Sequence, residues 1–420
     1  MNSFINKTWY RLDNAAKVFP ATSGRSDTKV FRISAELYEN VNETILQAAL
    51  DKTTTEFTSF NYILKNGLFW YYLEKSDLRA LVSKESASPC STNYLSGRQL
   101  LFDVTYFEKR INLEVYHAMS DGTGALQFLR FLVLNYLKLA HDTVTSDISQ
   151  IDLGASYHQE MSDSFTKHYD PVKGHRKVVN RPAYKIKGAK DFDRRLSVIG
   201  GTASVAKLLA KSREYNTTIT ILLTALLIKA IYSDMSAKQR KKPIVIGIPV
   251  NLRNYFESKA MRNFFAFSEI GCDLHLRELT TEDIIEQVKL SSREQISKES
   301  MQGKLNKMIS IERNILLRIL PLPIKNIAVN VLWHLISRGF TAMVSNIGKI
   351  DLPADIAPFI KKFDAFFYMT KPMIGVVSFE DCINITFASP LLSTNIQCAF
   401  FRELTSMGID VEISANNLRA

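Results

Sequence analysis

The sequence predicts an α/β (α+β) protein of two sandwich lobes, each built on a mixed, largely antiparallel sheet. Three observations lead there. At 420 residues the chain is too long for one ordinary core. Strand and helix patterns interleave in both halves without a strict βαβ rhythm. Two pairs of strand-like runs, within 100–116 and 375–388, are separated only by short polar turns, and hairpins impose antiparallel pairing.

The elements follow in chain order. Residues 29–37, KVFRISAEL, are rich in strand formers. Over 40–54, Val41, Ile45, Leu46 and Ala49 share one helical face. The run 68–74, LFWYYLE, predicts an aromatic strand. Residues 100–106 and 110–116 pair about Glu108-Lys109. An apolar helix follows over 125–140, with Ser120, Asp121 and Thr123 as capping candidates. From about 141 to 195 the periodicity dissolves, and Pro171, Gly174, Pro182 and Gly188 punctuate it. This divides the chain into an N-terminal lobe (1–165), a basic crossover (166–195) and a C-terminal lobe (196–420). The second half opens with helices at 204–214 and 219–231, the latter capped by Thr217 or Thr218. Strands are expected at 243–249 and 263–274, and an amphipathic helix at 281–298. Helices at 305–320 and 323–336 are split by the prolines of LPLP. Short strands at 340–344 and 366–369 precede a hairpin of 375–379 with 383–388.

Composition narrows the class. Apolar residues make up 46% and charged residues 23%, as in folded globular chains. The opening MNSFINKTWYRLDNAAKVFP lacks the apolar stretch of a secretory signal. The most apolar run, ITILLTALLIKAI at 219–231, is shorter than the ~20 residues a membrane span needs and contains Lys229, so no transmembrane segment is expected. Cys90, Cys272, Cys382 and Cys398 lie far apart without CxxC spacing, which predicts neither zinc ribbon nor disulfide framework and fits a reducing cytoplasm. The net charge is +11, and residues 166–195 alone carry ten Lys/Arg against three Asp/Glu. Such a stripe suits nucleic acid, a membrane, a phosphate-bearing small molecule, or simply a solvated linker. Few aromatics (Tyr169, Tyr184, Phe192) accompany it and no nucleic-acid motif is present, so no nucleic-acid partner is expected.

The stretch YHAMSDGTG, 116–124, carries the chemistry. His117 falls at a strand end, where its ring can face a cleft and accept a proton near neutral pH. Asp121 can fix the loop, cap the helix or pair with an arginine, while Gly122 and Gly124 allow backbone angles that other residues resist. The His-x-x-x-Asp spacing alone is a weak signal. A catalytic zinc needs three protein ligands, and no HExxH or second histidine cluster supplies them, so no metal is expected. Ser120 lacks the flanks of a GxSxG elbow, and DGTG is neither GxGxxG nor a Walker loop.

His117 to Gly122, HAMSDG, resembles the HxxxDG motif of the chloramphenicol acetyltransferase-like superfamily, which includes alcohol acetyltransferases, plant BAHD acyltransferases, wax ester synthases and peptide-synthetase condensation domains. Three further segments resemble it in the same order along the chain. LDNAAKVFP (12–20) is similar to the opening of bacterial alcohol acetyltransferase-like members. IPVNLR (248–253) with RNFFAF (262–267) is similar to a "P-V-N-L-R … N-F" region, and VSNIG (344–348) to an "S-N-x-G" segment. The resemblance implies two chloramphenicol acetyltransferase-like lobes around a central tunnel, with the histidine at its middle. Donor thioester enters from one face and acceptor from the other. His117 takes the proton of an acceptor hydroxyl or amine, with no covalent intermediate, metal or bound cofactor. Acyl-CoA is then a cosubstrate, and the protein acts as a monomer. Asp121 turns from substrate to pair with an arginine, for which Arg253 is the candidate and Arg262 the neighbour in sequence. Gly122 provides a tight turn, and Ser345 or Asn346 positions substrate or donates to the oxyanion.

Departures refine the expectation. Condensation domains carry HHxxxDG, and here Tyr116 holds the first place, favouring a free-standing O-acyltransferase. The BAHD DFGWG signature is absent, with FDAFF at 363–367 a faint echo. The leading reading is transfer of an acyl group, acetyl by default, from acyl-CoA to a small-molecule alcohol. One alternative is a condensation-like enzyme that takes its acyl group from an acyl carrier protein and acylates an amine or hydroxyl. Another is a non-catalytic member that binds a thioester or a partner. The basic crossover would attract the phosphates of coenzyme A or an acidic carrier protein.

Overall fold

The computed structural model describes residues 9–146, 162–171, 182–272 and 280–416. The first half holds β1 (Trp9–Arg11), α1 (Val18–Thr22), β2 (Val30–Leu37), α2 (Glu43–Glu56), β3 (Tyr62–Asn66), β4 (Tyr71–Lys75), β5 (Val82–Lys84), β6 (Phe102–Phe107), β7 (Arg110–Tyr116), α3 (Gly122–Ala140) and α4 (Ser164–Lys167). The second opens with β8 (Ser197–Ser204), α5 (Val205–Glu214), α6 (Ile219–Asp234), β9 (Ile244–Asn251), β10 (Phe265–Cys272), α7 (Thr281–Gln295), α8 (Lys298–Arg313), α9 (Ile315–Ile319) and α10 (Leu322–Ser337). It closes with β11 (Ala342–Lys349), β12 (Ile360–Phe367), β13 (Met373–Phe379), β14 (Cys382–Ser389), α11 (Asn395–Ser406) and β15 (Glu412–Ala415).

Two large sheets organise the molecule, and both are mixed and largely antiparallel. One runs β12-β2-β7-β6-β5 and is antiparallel except between β5 and β6. The other runs β10-β9-β11-β13-β14-β8-β15, where only β11 lies parallel to its neighbours, β9 and β13. A small sheet, β1-β4-β3, stands apart. β12 comes from the second half of the sequence yet pairs with β2 in the first sheet, with Ala365 opposite Ile33 and Phe366 opposite Arg32. The sheets therefore do not follow the sequence halves strictly. Where the two large sheets meet, β13 crosses β12 at Gly375, where a Cβ would stand 1.8 Å from the Ala365 carbonyl oxygen.

α2 and α3 pack together beside the first sheet, with the Phe57 and Phe131 rings 4.5 Å apart and Phe60 stacked on Phe128 at 4.4 Å. α6 is buried along most of its length among α7, α11 and β9. The apolar run at 219–231 is thus a core helix. No single described helix is long and apolar enough to cross a membrane.

Several elements differ from expectation for identifiable reasons. The aromatic run at 68–74 is not one strand. Residues 67–70 are the hairpin loop between β3 and β4, closed by Gly67 N–H donating to the Trp70 carbonyl at 2.9 Å. The strand expected at 366–369 lies at 360–367 instead. Its opening KKFD hid it, because those lysines are answered across the sheet by Glu36, at 3.1 Å from Lys361 and 3.7 Å from Lys362. The helix expected over 281–298 breaks where Ser297 caps α8, and the next breaks where Asn314 caps α9. Of the basic crossover, residues 172–181 lie outside the described residues. The described part is tied down by Ala183 and Tyr184 N–H groups, which donate to the carbonyls of Arg338 and Pro243 at 3.0 and 2.8 Å. Lys185, Lys187, Lys190 and Arg194 are exposed there, while Arg195 pairs with Asp191 at 3.2 Å.

Candidate active site

The site forms where β7 ends and α3 begins. Strand alternation sends Tyr116 into the core, where its hydroxyl meets Ser23 Oγ at 2.9 Å and its ring stacks on Tyr94. Burial raises the Tyr116 pKa above its ordinary value. The next residue points the other way. His117 N–H donates to the Lys29 carbonyl at 2.9 Å, and its ring lines a cavity of ≈ 170 Å³ between the two large sheets. Aromatic rings from four elements surround it: Phe19 stacks at 4.5 Å, and Phe31, Phe265 and Phe367 stand 5.1, 5.4 and 5.3 Å away.

One amide fixes the histidine tautomer. Asn263 Nδ2 donates to the His117 carbonyl at 2.9 Å and to Asp13 Oδ2 at 3.2 Å. Both partners are acceptors, so the amide orientation is determined and Oδ1 must face His117 Nδ1, 2.9 Å away. Nδ1 therefore carries the proton, and Nε2 is left with a lone pair. Burial pushes the His117 pKa down to about 4, which Asp121 and Asn263 only partly oppose, so the ring is neutral at pH 7. Behind the amide, Asp13 accepts from Ala16 N–H at 2.7 Å and lies 3.6 Å from the Arg262 guanidinium. Burial raises the Asp13 pKa to about 6 against the pull of Arg262.

Asp121 is the joint between α3 and the opposing chain. Its Oδ1 caps α3 by accepting from Thr123 and Gly124 N–H at 3.1 Å each. Its Oδ2 accepts from Arg253 Nη1 at 2.7 Å and Phe264 N–H at 2.9 Å. Arg253 also donates to Asn251 Oδ1 and to the carbonyls of Ala260 and Arg262, so it holds the 251–262 loop against the base of α3. The glycine under steric demand in this motif is Gly124, not Gly122. A Cβ on Gly124 would lie 2.1 Å from the Met261 carbonyl oxygen, whereas one on Gly122 would meet nothing within 4 Å. Neither has a left-handed φ; the chain turns just before, with Met119 N–H donating to the Tyr116 carbonyl at 2.9 Å, and Gly122 opens α3 beside the cavity.

Ser345 and Asn346 reach the same cavity from β11. Asn346 has both amide ends occupied: Oδ1 accepts from Gly348 N–H at 2.8 Å across a bulge, and Nδ2 donates to Thr220 Oγ1 at 2.8 Å. The Ser345 hydroxyl is uncommitted among the described residues. Two cations border the cavity with their own counter-charges. Lys29 meets Asp27 at 2.5 Å, and Arg32 is held by Glu114 and Glu85 at 2.6 and 2.5 Å. Among the described residues no three His, Cys, Asp or Glu side chains gather as metal ligands would. A second, strongly apolar cavity of ≈ 350 Å³ shares Phe19, Phe265, Phe267 and Trp333 with the first.

The sequence named His117, Asp121 and Arg253 and did not assign roles to Asn263 or Asp13. Both lie within the segments whose resemblance was noted, but one polar residue beside an apolar run carries no sign that it will be buried.

No protein-family model and no curated protein sequence matches the chain. Solved structures do match it along almost its whole length. Polyketide synthase associated protein 5 from Mycobacterium tuberculosis superposes with a TM-score of 0.60 at 13% identity, covering 94% of this chain and 97% of that one. A trichothecene 15-O-acetyltransferase from Fusarium sporotrichioides gives 0.62 at 10% identity, covering 95% and 94%. A variant of the starter condensation domain of rhizomide synthetase, solved with C8-CoA, gives 0.59 at 12% identity, covering 95% and 94%. The chain therefore has the two-lobed, chloramphenicol acetyltransferase-like fold that condensation domains and this acetyltransferase share.

Proposed function

We propose that this chain transfers an acyl group from a thioester to an alcohol, with His117 as general base. The observation that carries the reading is the Asn263 amide, which holds the proton on Nδ1 and leaves Nε2 basic inside a cavity between the sheets. An acceptor hydroxyl donates to Nε2. As its proton leaves, the oxygen attacks the thioester carbonyl and forms a tetrahedral oxyanion. Collapse breaks the carbon–sulfur bond, and the departing thiolate regains the proton from Nε2. A base so placed contributes roughly 10²–10⁴ in rate. Ser345 Oγ is the oxyanion donor in this scheme, worth about 10²–10³ in turnover, and Asn346 shapes the β11 bulge beside it.

Acyl-CoA is the donor we favour. The exposed Lys185, Lys187, Lys190 and Arg194 supply positive charge, and the condensation-domain neighbour was solved with C8-CoA. In this reading residues 1–165, with β12 returned to them, and residues 196–420 form the walls of one tunnel in a monomeric cytoplasmic enzyme. The aromatic and aliphatic lining favours an apolar acceptor.

The test offers acetyl-CoA together with an equimolar alcohol and amine of equal chain length and identifies the product by mass. The ester is expected. The amide, or product formed only from a carrier-protein thioester, would transfer the reading to a condensation-like enzyme. Coenzyme A binding without product from any pair would leave a binding protein.

A further inference from the structure

α9 and α10 carry apolar side chains outward as well as inward. The side of α10 that faces the protein is mixed, with Leu322, Val329 and Trp333 beside polar groups. Lys325 Nζ donates to the Phe69 carbonyl at 2.8 Å, Asn326 Nδ2 to Tyr71 OH at 2.7 Å, and Asn330 Nδ2 to the Ala21 carbonyl at 3.1 Å. The outward side carries Ile324, Ile327, Val331 and Leu335, three or four residues apart and each more than half exposed. α9 adds Ile315 and Ile319, and the β3–β4 loop adds Leu68, whose carbonyl accepts from Leu322 N–H at 2.9 Å. A surface helix of a globular protein normally faces its apolar stripe inward. A contiguous exposed apolar patch marks an interaction surface.

Two observations identify what covers it. The first is charge: residues 313–338 hold Arg313, Arg318, Lys325 and Arg338 and no Asp or Glu. All but Lys325 are exposed. A second copy docked through a twofold contact would set these cations against themselves. The second is the cavity of ≈ 350 Å³ beneath α10, roofed in part by Leu332 and Ile336, which are themselves 42% and 49% exposed. It shares Phe19, Phe265, Phe267 and Trp333 with the lining of the His117 cavity. A protein partner would account for the patch but not for an apolar cavity roofed by half-exposed residues beneath it, and a lipid surface accounts for both. At 16 residues α10 is about 24 Å long, short of the ~30 Å hydrocarbon core, so it suits lying in an interface rather than crossing it.

We propose that the chain docks on an anionic lipid surface through α9, α10 and the β3–β4 loop, which sets the mouth of the apolar cavity against the bilayer. The docking does not depend on the acyl-transfer reading. The experiment sediments the full chain with extruded vesicles of phosphatidylcholine alone or mixed with phosphatidylglycerol, and follows lipid-free association by analytical ultracentrifugation. Binding to the anionic vesicles is expected. Ile327→Asp with Val331→Asp should weaken it at least about tenfold. Arg313→Gln with Arg318→Gln should weaken it about fivefold per charge removed. All four sites are exposed, so circular dichroism and thermal melts should match wild type. Absence from both pellets overturns the proposal, and equal partition onto both vesicle types overturns its anionic surface. A lipid-free dimer abolished by the Ile327 and Val331 changes would assign the patch to a second copy.

Discussion

At the scale of single residues, the acyl-transfer reading makes His117 a neutral base held by a neutral amide. Its pKa, pushed down to about 4, keeps the ring neutral on acidification, so in this reading the base form persists. The kcat/KM profile should show no loss of base near 6.5 and should fall only toward pH 4. The linked stability term has a definite sign. The folded ring resists protonation, so its contribution is complete above pH 6.5 and declines as pH falls toward 4. Asp13 acts in the opposite sense. Its raised pKa gives a contribution that is full below 3.8 and is lost as pH rises through about 6. Urea midpoints measured across pH 4–7 for His117→Asn and Asp13→Asn should therefore diverge from wild type in opposite directions. In the same reading Asn263 is a positioning residue. Asn263→Ala should lower kcat on the order of 10² with a smaller change in KM, because the ring loses its orientation and tautomer while the cavity stays. An equal rise in KM with unchanged kcat would instead make Asn263 part of a binding surface.

At the scale of elements, the junction of α3 with the 251–264 segment decides whether the histidine loop is rigid. Asp121 closes α3 and receives Arg253, and both side chains are largely buried. Asp121→Ala should cost about 3–5 kcal/mol because it strands a buried guanidinium. A charge-reversed pair is a poor test, since an aspartate at 253 could not donate to the Ala260 and Arg262 carbonyls as Arg253 does. A double-mutant cycle of Asp121→Asn with Arg253→Gln should instead give a coupling of about 0.5–3 kcal/mol. The adjoining glycines should separate cleanly in thermal melts. Gly124→Ala forces a methyl against the Met261 carbonyl and should cost at least about 1–3 kcal/mol, while Gly122→Ala should be neutral or stabilising.

The whole molecule shows which of these features periodicity can carry. Strands and helices with a strong repeat were legible, as at residues 30–37, 110–116 and 219–231, because one buried face imposes a pattern on neighbouring residues. The exchange of β12 into the first sheet was not, because its two lysines pair with a glutamate on a strand more than 300 residues away. The tautomer-fixing amide was equally hidden, since its meaning arises only when residues 13, 117 and 263 meet. The outward stripe of α10 is legible in the sequence only as part of an apolar helix, because periodicity cannot tell an inward stripe from an outward one. Charge is also a property of the whole. If the exposed lysines of the crossover draw in the donor, the KM for acetyl-CoA should rise with added salt while the KM for a neutral alcohol stays level.

The central claim is that Nε2 of His117 removes the acceptor proton. It is tested most directly by following free-thiol release from acetyl-CoA with and without an alcohol, for wild type and for His117→Ala. The account predicts release that requires the alcohol and falls roughly 10²–10⁴-fold in the variant. Release that is independent of acceptor, or undiminished by loss of the imidazole in a folded variant, would contradict it.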